Sequence, residues 1–538
     1  MKVAVLGGYG VFGGRLADLL VRDGHQVVVV GRSFAKAEAL AGQLGCAALE
    51  WDIHSDPAPL VALSPDVVID AVGPFQTYVE DPYRVARLSL QMGADYLDLS
   101  DSAAFTSGIS ILDAEAKRVG RRVLSGVSSV PGLSSAVVAD LVLGLDDVLL
   151  IESAILPGNR APRGASVMAS IMGQLGRETQ VWRGGKWRAL RGWRAARRVT
   201  LAPGLERVGR FVEVPDIRLF PEAFKARSVM FRAGMELGFL NFGMRMVAAV
   251  RQVVPFEITP RRVAVFRWLA QLTERFGTDR GGMHVEVIGR QGEQVRRHSW
   301  TLVAEAGEGP YIPAVAARVL MRHFEEVPPG ARPCVRDVSL DQMQAGWADL
   351  EVTTQRQDGF WQPQFEIAFG EKWNDLPNKI KELHCVADLE VFTGEARVTR
   401  DGGLLAQWVA RLFGFPKATE RCAVRVTKTR TDKDEIWERD FAGQRFLSRC
   451  RLAPEPGRFR ERFGPFQFEM DLTVMDGVVG MPVRKGWFLG LRMPRWLLPI
   501  SETREFVADG CFHFDVSLAA PLGVGAIVRY QGWLEPEQ

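Results

Sequence analysis

Metal-ligand spacing is missing from this 538-residue chain. Its six cysteines (Cys46, Cys334, Cys385, Cys422, Cys450, Cys511) include no C-x-x-C pair. That argues against structural zinc and a disulfide framework, and fits a reducing compartment. The seven histidines form no H-x-x-x-H or H-E-x-x-H arrangement, so no metal site is expected. No run of eighteen uncharged apolar residues occurs, and no spanning helix is expected. A net charge of +3 on so long a chain removes the electrostatic case for nucleic acid. There is no Y-x-x-x-K pair and no defensible Ser-His-Asp set. The first strand begins at Lys2, which leaves no room for a signal peptide, and a cytoplasmic protein is expected. The length predicts two or three domains.

What is present is concentrated at the start. Lys2–Leu20 reads KVAVLGGYGVFGGRLADLL, a β-branched run, then glycines, then helical spacing at Leu16, Leu19 and Leu20. Gly8, Gly10 and Gly13 make G-x-G-x-x-G between a strand and a helix. Gly8 is expected to permit the turn, Gly10 to admit a pyrophosphate, and Gly13 to let helix and strand pack closely. The next strand, His25–Val30, ends in Gly31-Arg32-Ser33, about twenty residues past the motif, where NAD binders carry an acid. Here a guanidinium and a hydroxyl stand instead, with Lys36 one turn on. Those groups suit a 2′-phosphate, so NADP is expected over NAD. Asp52, after a third strand at Ala47–Trp51, either approaches the adenine or caps a turn. A fourth strand, Asp66–Ala71, runs into Val72-Gly73-Pro74, where the chain must turn over the carboxyl edge of the sheet. Fifth and sixth strands follow at Ala94–Leu99 and Val123–Val127. With short connections this order is an α/β, doubly wound parallel sheet of Rossmann type.

Four segments together resemble one family: GGYGVFG, DAVGPF at Asp70–Phe75, GADYLDLSD at Gly93–Asp101, and SGVSSVPG at Ser125–Gly132. They are similar to the saccharopine dehydrogenase-like NADP-binding oxidoreductases. The resemblance is strong over the Rossmann part and thinner to about residue 345. It implies a dinucleotide site at Gly8, Tyr9, Gly10, Val11, Phe12, Gly13, Arg32, Ser33, Val72 and Gly73, to which Lys36, Asp52, Ala71 and Pro74 are added by position. It also implies a substrate cleft at the ends of the fifth and sixth strands. Asp98, Ser100, Asp101 and Ser129 are the candidate catalytic residues there.

Residues 136–345 are expected to form an α+β substrate domain, with a helix at about 310–325 returning to the Rossmann domain (1–135). Strands are expected at Leu149–Ile155, Phe211–Phe220, Met283–Gly289 and Ser299–Ala304, and helices at Ala165–Leu175 and Phe239–Val250. The second helix is read as core packing rather than membrane binding, for want of a broad basic face. Trp182–Arg198 reads as a basic, aromatic hairpin, either a rim for an anionic group or a solvated surface. Residues 345–373 read as a connection. Residues 373–538 are strand-rich, an antiparallel curved sheet or incomplete barrel, and resemble an uncharacterised bacterial domain often fused behind such proteins. Trp487–Ile500 is read either as the mouth of an apolar cavity or as a buried loop.

The function expected is hydride transfer between NADP and a carbonyl, imine or carbon–carbon double bond, on a small-molecule substrate that is bulky and apolar, even lipid-like. The alternative is a non-catalytic NADP-binding sensor or apolar-ligand carrier. Peripheral membrane contact and a homodimer are both compatible with the apolar stretches.

Overall fold

The computed structural model describes every residue except Val79, Arg163, Pro255, Gly523 and Gln538. The chain falls into two compact units, Met1–Gly359 and Phe360–Gln538.

In the first unit six strands run parallel; the central ones are buried along almost their whole length, as parallel sheets require, and the one at the Ala47–Glu50 edge is partly exposed. They are β1 (Lys2–Leu6), β2 (Gln26–Gly31), β3 (Ala47–Glu50), β4 (Val67–Asp70), β5 (Asp95–Asp98) and β6 (Arg122–Ser125). With the strand Gly330–Pro333 they make a parallel sheet of seven, in the order Gly330–Pro333, β6, β5, β4, β1, β2, β3. The order reverses between β1 and β4, so the carboxyl ends of the strands open a crevice there. The helix α1 (Val11–Arg22) follows β1 with Leu16, Leu19 and Leu20 buried. The expected return of the chain is present: Ile312–Arg322 is a helix that packs on α1. Its Arg318 guanidinium donates to both Asp23 and Asp349, at 2.8 and 2.5 Å. The strand after it, which joins β6, was not anticipated.

A second, mixed sheet of seven strands is built around β7 (Asp147–Leu156), which pairs parallel with Val229–Ala233 and antiparallel with Gly281–Gln291. Two expectations fail here. The strand expected at Phe211–Phe220 ends at Phe211, and Pro215–Ala223 is a helix, because Pro215 stands at a first-turn position that suits proline. The connection expected at 345–373 instead contains the strand Val352–Phe360, which adds to the edge of this sheet. The basic hairpin is real: Glu178–Arg183 pairs with Lys186–Arg191 as a separate two-stranded sheet. In it, the Trp182 and Trp187 rings meet edge-on at 5.4 Å.

The second unit is an antiparallel sheet of thirteen strands, running in order from an edge at Thr473–Met475 to an edge at Leu491–Arg492. Its inward residues, among them Val424, Val426, Trp437, Phe441, Phe459 and Phe512, form one apolar core with the helices Gln364–Phe369 and Asn378–His384.

Candidate cofactor cleft and the apolar cavity beside it

The glycine loop turns on a residue outside the motif. Gly7 has φ +66°, and a Cβ there would lie 2.9 Å from the Ala71 carbonyl oxygen. Gly10 N–H donates to Gly7 O at 2.8 Å, which closes the turn. Gly8 does not supply the turn as expected. It is required by packing, since its Cβ would stand 2.7 Å from Val5 O. Gly13 behaves as expected, its Cβ position being 2.3 Å from Gly7 O. Gly10 caps α1, and the amide-bearing first turn faces a cavity of about 840 Å³ at the carboxyl edge of the sheet.

Tyr9, Gly10, Val11, Phe12, Arg32, Asp52, Ala71, Val72, Gly73 and Pro74 all line this cavity. Gly8, Gly13, Ser33 and Lys36 do not. The Tyr9 ring crosses Gly31, and Tyr9 Oη accepts the Ser33 N–H at 3.3 Å. Ser33 thus acts through its backbone, while Arg32 is exposed at the rim beside it. Asp52 caps a turn, its Oδ1 accepting the His54 N–H at 2.9 Å, and it also lines the cavity. On the far wall Gly73 has φ +43° and packs against Ser166, whose hydroxyl donates to Val72 O at 3.2 Å.

The four candidate catalytic residues divide. Asp98 is fully buried and its Oδ1 accepts from Ser100 N–H, Ser125 Oγ–H and Gly126 N–H at 2.9, 2.9 and 2.8 Å. It ties β5 to β6. Burial pushes its pKa up to about 6 against those bonds. Asp70, one strand over and also buried, is pushed up to about 7 by burial, with Val72 N–H opposing. Ser100 is buried, and its Oγ accepts the Ser102 N–H at 3.1 Å. Neither Asp98 nor Ser100 reaches the cavity; Asp101 and Ser129 do. Gln76 Nε2 donates to Asp101 Oδ1 at 3.0 Å and to Ser170 Oγ at 2.8 Å, so one amide links the two sides of the cleft. Burial raises the Asp101 pKa, and the hydrogen bonds oppose it. Gln76, Tyr78, Ser166, Ser170 and Glu213 were not foreseen. Their only local signal was polarity.

Beside the nucleotide cavity lies a second one of about 340 Å³, lined almost wholly by apolar groups. Phe12, Ser129, Ile155, Val167, Ile171, Ala233 and Pro313 line both. Three helices close it: Ala165–Gln174, Gly238–Val253 and Pro260–Leu272. Buried Arg251 fastens the second to the first, donating to the carbonyls of Met172, Gly173 and Leu175 at 3.1, 2.8 and 3.1 Å. The expectation of core packing for Phe239–Val250 holds only for its inner face. Phe242, Met246, Val250 and Val253 recur at helical spacing on the outer face, and Phe242 is 61% exposed. Val265, Trp268 and Leu272 do the same on the next helix, with Trp268 57% exposed. Of the basic hairpin region, Trp193 lines the apolar cavity and the paired strands line neither.

Among the described residues no helix is long and apolar enough to cross a membrane, and no group of three or more His, Cys, Asp or Glu could hold a metal ion.

No curated protein matches the chain. Among solved structures, it is similar to apo saccharopine dehydrogenase (L-Glu forming) from Saccharomyces cerevisiae, at 14% identity and a TM-score of 0.49 over 66% of this chain and 99% of that one. It is also similar to homospermidine synthase from Legionella pneumophila in complex with NAD, at 13% identity and a TM-score of 0.43 over 67% and 92%. Residues 376–534 match a domain of unknown function, DUF4166. Residues 2–79, which hold β1 to β4 and the glycine loop, match the family described as NADP oxidoreductase, coenzyme F420-dependent, so the chain opens with the NADP-binding module of an oxidoreductase.

Proposed function

We propose that the protein is an NADP-dependent oxidoreductase acting on a bulky, apolar, lipid-like small molecule. The observation that carries this is the shared wall: an apolar cavity opens beside the nucleotide cavity through Phe12, Ser129 and Pro313. A polar amino acid substrate would need buried charged clamps, and this second cavity offers few polar groups of any kind. The residues present fit the dinucleotide. The α1 amides would hold the pyrophosphate, Arg32 the 2′-phosphate, and Val72 to Pro74 the face of the cleft opposite the loop. NADPH, when bound, would supply hydride to a carbonyl, imine or carbon–carbon double bond.

The chain's own part is to exclude water, orient the substrate and hold a proton. Asp101 suits the last task, since its carboxyl faces the cleft, is fixed by Gln76, and has a raised pKa. Consumption of NADPH, followed by absorbance with long-chain aldehydes, ketones and enones, tests the reading. Turnover should fall at least about tenfold in Met244→Trp, which fills the apolar cavity, while NADPH affinity is unchanged. Tight NADPH binding without turnover on any apolar substrate class would favour a sensor.

The two outward apolar helix faces belong to the same reading. Residues 238–276 carry five exposed arginines, Arg251 being buried, against two glutamates. An anionic lipid surface matches that combination, and the helices that would lie on it are the walls of the apolar cavity. Sedimentation with anionic vesicles tests this.

A further inference from the structure

The second unit encloses a cavity of its own, about 320 Å³, within the thirteen-stranded sheet. Aromatic and aliphatic side chains from many strands line it, among them Val424, Val426, Phe459, Phe468, Phe512 and Phe514. A void of this size is far larger than packing defects in a folded core, and it falls in the range of ligand pockets. Its rim is formed by the helix Leu404–Leu412 and by the stretch that contains Met493, Leu497 and Pro499. Of the two readings of Trp487–Ile500, a wholly buried loop is excluded: most of Leu491–Ile500 is exposed or half-buried, and Met493, Leu497 and Pro499 line the cavity. Leu412 lines the cavity and is 67% exposed, so the lining reaches the surface there.

The cavity also has a polar floor. Lys428, Arg439, Glu461 and Glu505 all line it and all are buried or nearly so. Arg439 donates to Ser448 Oγ at 2.9 Å and to Glu461 at 3.1 Å. Glu505 is engaged by His384 Nε2 at 2.8 Å. Lys428 Nζ donates to the Leu383 carbonyl at 2.9 Å and stands 3.7 Å from the Trp437 ring centre. An ammonium has three donors and a guanidinium five, so both cations keep N–H groups beyond those bonds. The two carboxylates are held by His384 and Arg439, whereas the cations retain donors. The floor therefore favours a ligand group that accepts hydrogen bonds.

We propose that this unit binds an amphiphile, with an acyl- or isoprenoid-like chain in the apolar cavity and a carbonyl or carboxylate oxygen at Lys428 and Arg439. The site is separate from the nucleotide cleft and stands whether or not the first unit is an oxidoreductase. A medium-chain ligand suits a cavity in the range of ligand pockets.

The test uses the full chain carrying Met244→Trp, which closes the apolar cavity of the first unit, and the neutral probe N-phenyl-1-naphthylamine. One probe should bind per chain with enhanced fluorescence. Dodecanoic acid and methyl dodecanoate should displace it, and dodecane should do so at least tenfold less well. Adding Met493→Trp or Leu497→Trp at the mouth, where neither side chain is fully buried, should weaken probe binding at least tenfold with the melting temperature unchanged. A preference for the acid over the ester would assign a carboxylate, and the reverse a neutral carbonyl. Loss of all probe binding in Met244→Trp alone, or unaltered binding in both mouth variants, would overturn the proposal. Equal displacement by dodecane would remove the polar floor from it. NADPH titration of the same proteins reports separately on the first unit.

Discussion

The Tyr9 ring lies so close over Gly31 that a Cβ on the glycine would stand 2.3 Å from Tyr9 Cε1. That contact joins the glycine loop to the end of β2, and the hydrogen bond from Ser33 N–H to Tyr9 Oη continues it. The loop that would receive the pyrophosphate and the strand end that carries Arg32 are therefore one piece. Gly31→Ala should push the ring aside and weaken NADPH binding by about tenfold or more, or ~1.4 kcal/mol. Calorimetry on the folded variant checks this, and an unchanged dissociation constant would make the contact incidental.

Arg32 follows β2 directly at the cavity rim, with no acid beside it on that strand end. Arg32→Ala should lose about 1–3 kcal/mol of NADPH affinity and leave NADH affinity nearly unchanged. Equal affinity of the unmutated protein for the two cofactors would remove the argument for a 2′-phosphate site.

The glycine motif, the parallel sheet and the apolar mouth in the second unit were legible because each is written locally. Gly7 and Gly31 were not, because what forbids a side chain at each is a distant group, the Ala71 carbonyl or the Tyr9 ring. The strand Val352–Phe360 was read as a connection because it lies at a sheet edge with most of its residues exposed, so VTTQRQDGF shows no apolar alternation. The apolar cavity of the first unit was invisible for a different reason. Helices a hundred residues apart in the chain enclose it, and each taken alone reads as core.

Asp70 offers a pH test. Its pKa is raised from an ordinary 3.8 to about 7 by complete burial. A carboxyl with a raised pKa stabilises the fold while protonated, so this contribution is full below 3.8 and is lost as pH rises through 7. A change of that size is worth at most ~4 kcal/mol. Asp70→Asn keeps an oxygen for the Val72 N–H and cannot ionise. Its stability relative to the unmutated chain should therefore rise between about pH 4 and pH 7 and level off above. Asp98, raised for the same reason, stays in place and leaves a residual slope. Parallel urea titrations of the two proteins across that range check it, and identical slopes would mean that Asp70 stays ionised in the folded protein.

The helices Gly238–Val253 and Pro260–Leu272 present large apolar side chains to solvent at helical spacing, and their inner faces line the apolar cavity. A soluble helix that needs only to cover a cavity has no use for a second apolar face. Phe242 and Trp268 are each more than half exposed, so replacing both with serine should leave the melting temperature nearly unchanged. The unmutated protein should sediment with vesicles containing anionic phospholipid, and the Phe242→Ser, Trp268→Ser protein should lose most of that binding. Raised salt should weaken it as well, because exposed arginines such as Arg245, Arg261 and Arg275 would meet the head groups across water. NADPH affinity should not follow these changes, since neither side chain touches the nucleotide cavity. Vesicle binding that ignores both substitutions would place the membrane contact elsewhere. If the unmutated protein ignores vesicles but is a dimer that the double substitution splits, the covered partner is a second copy of the chain.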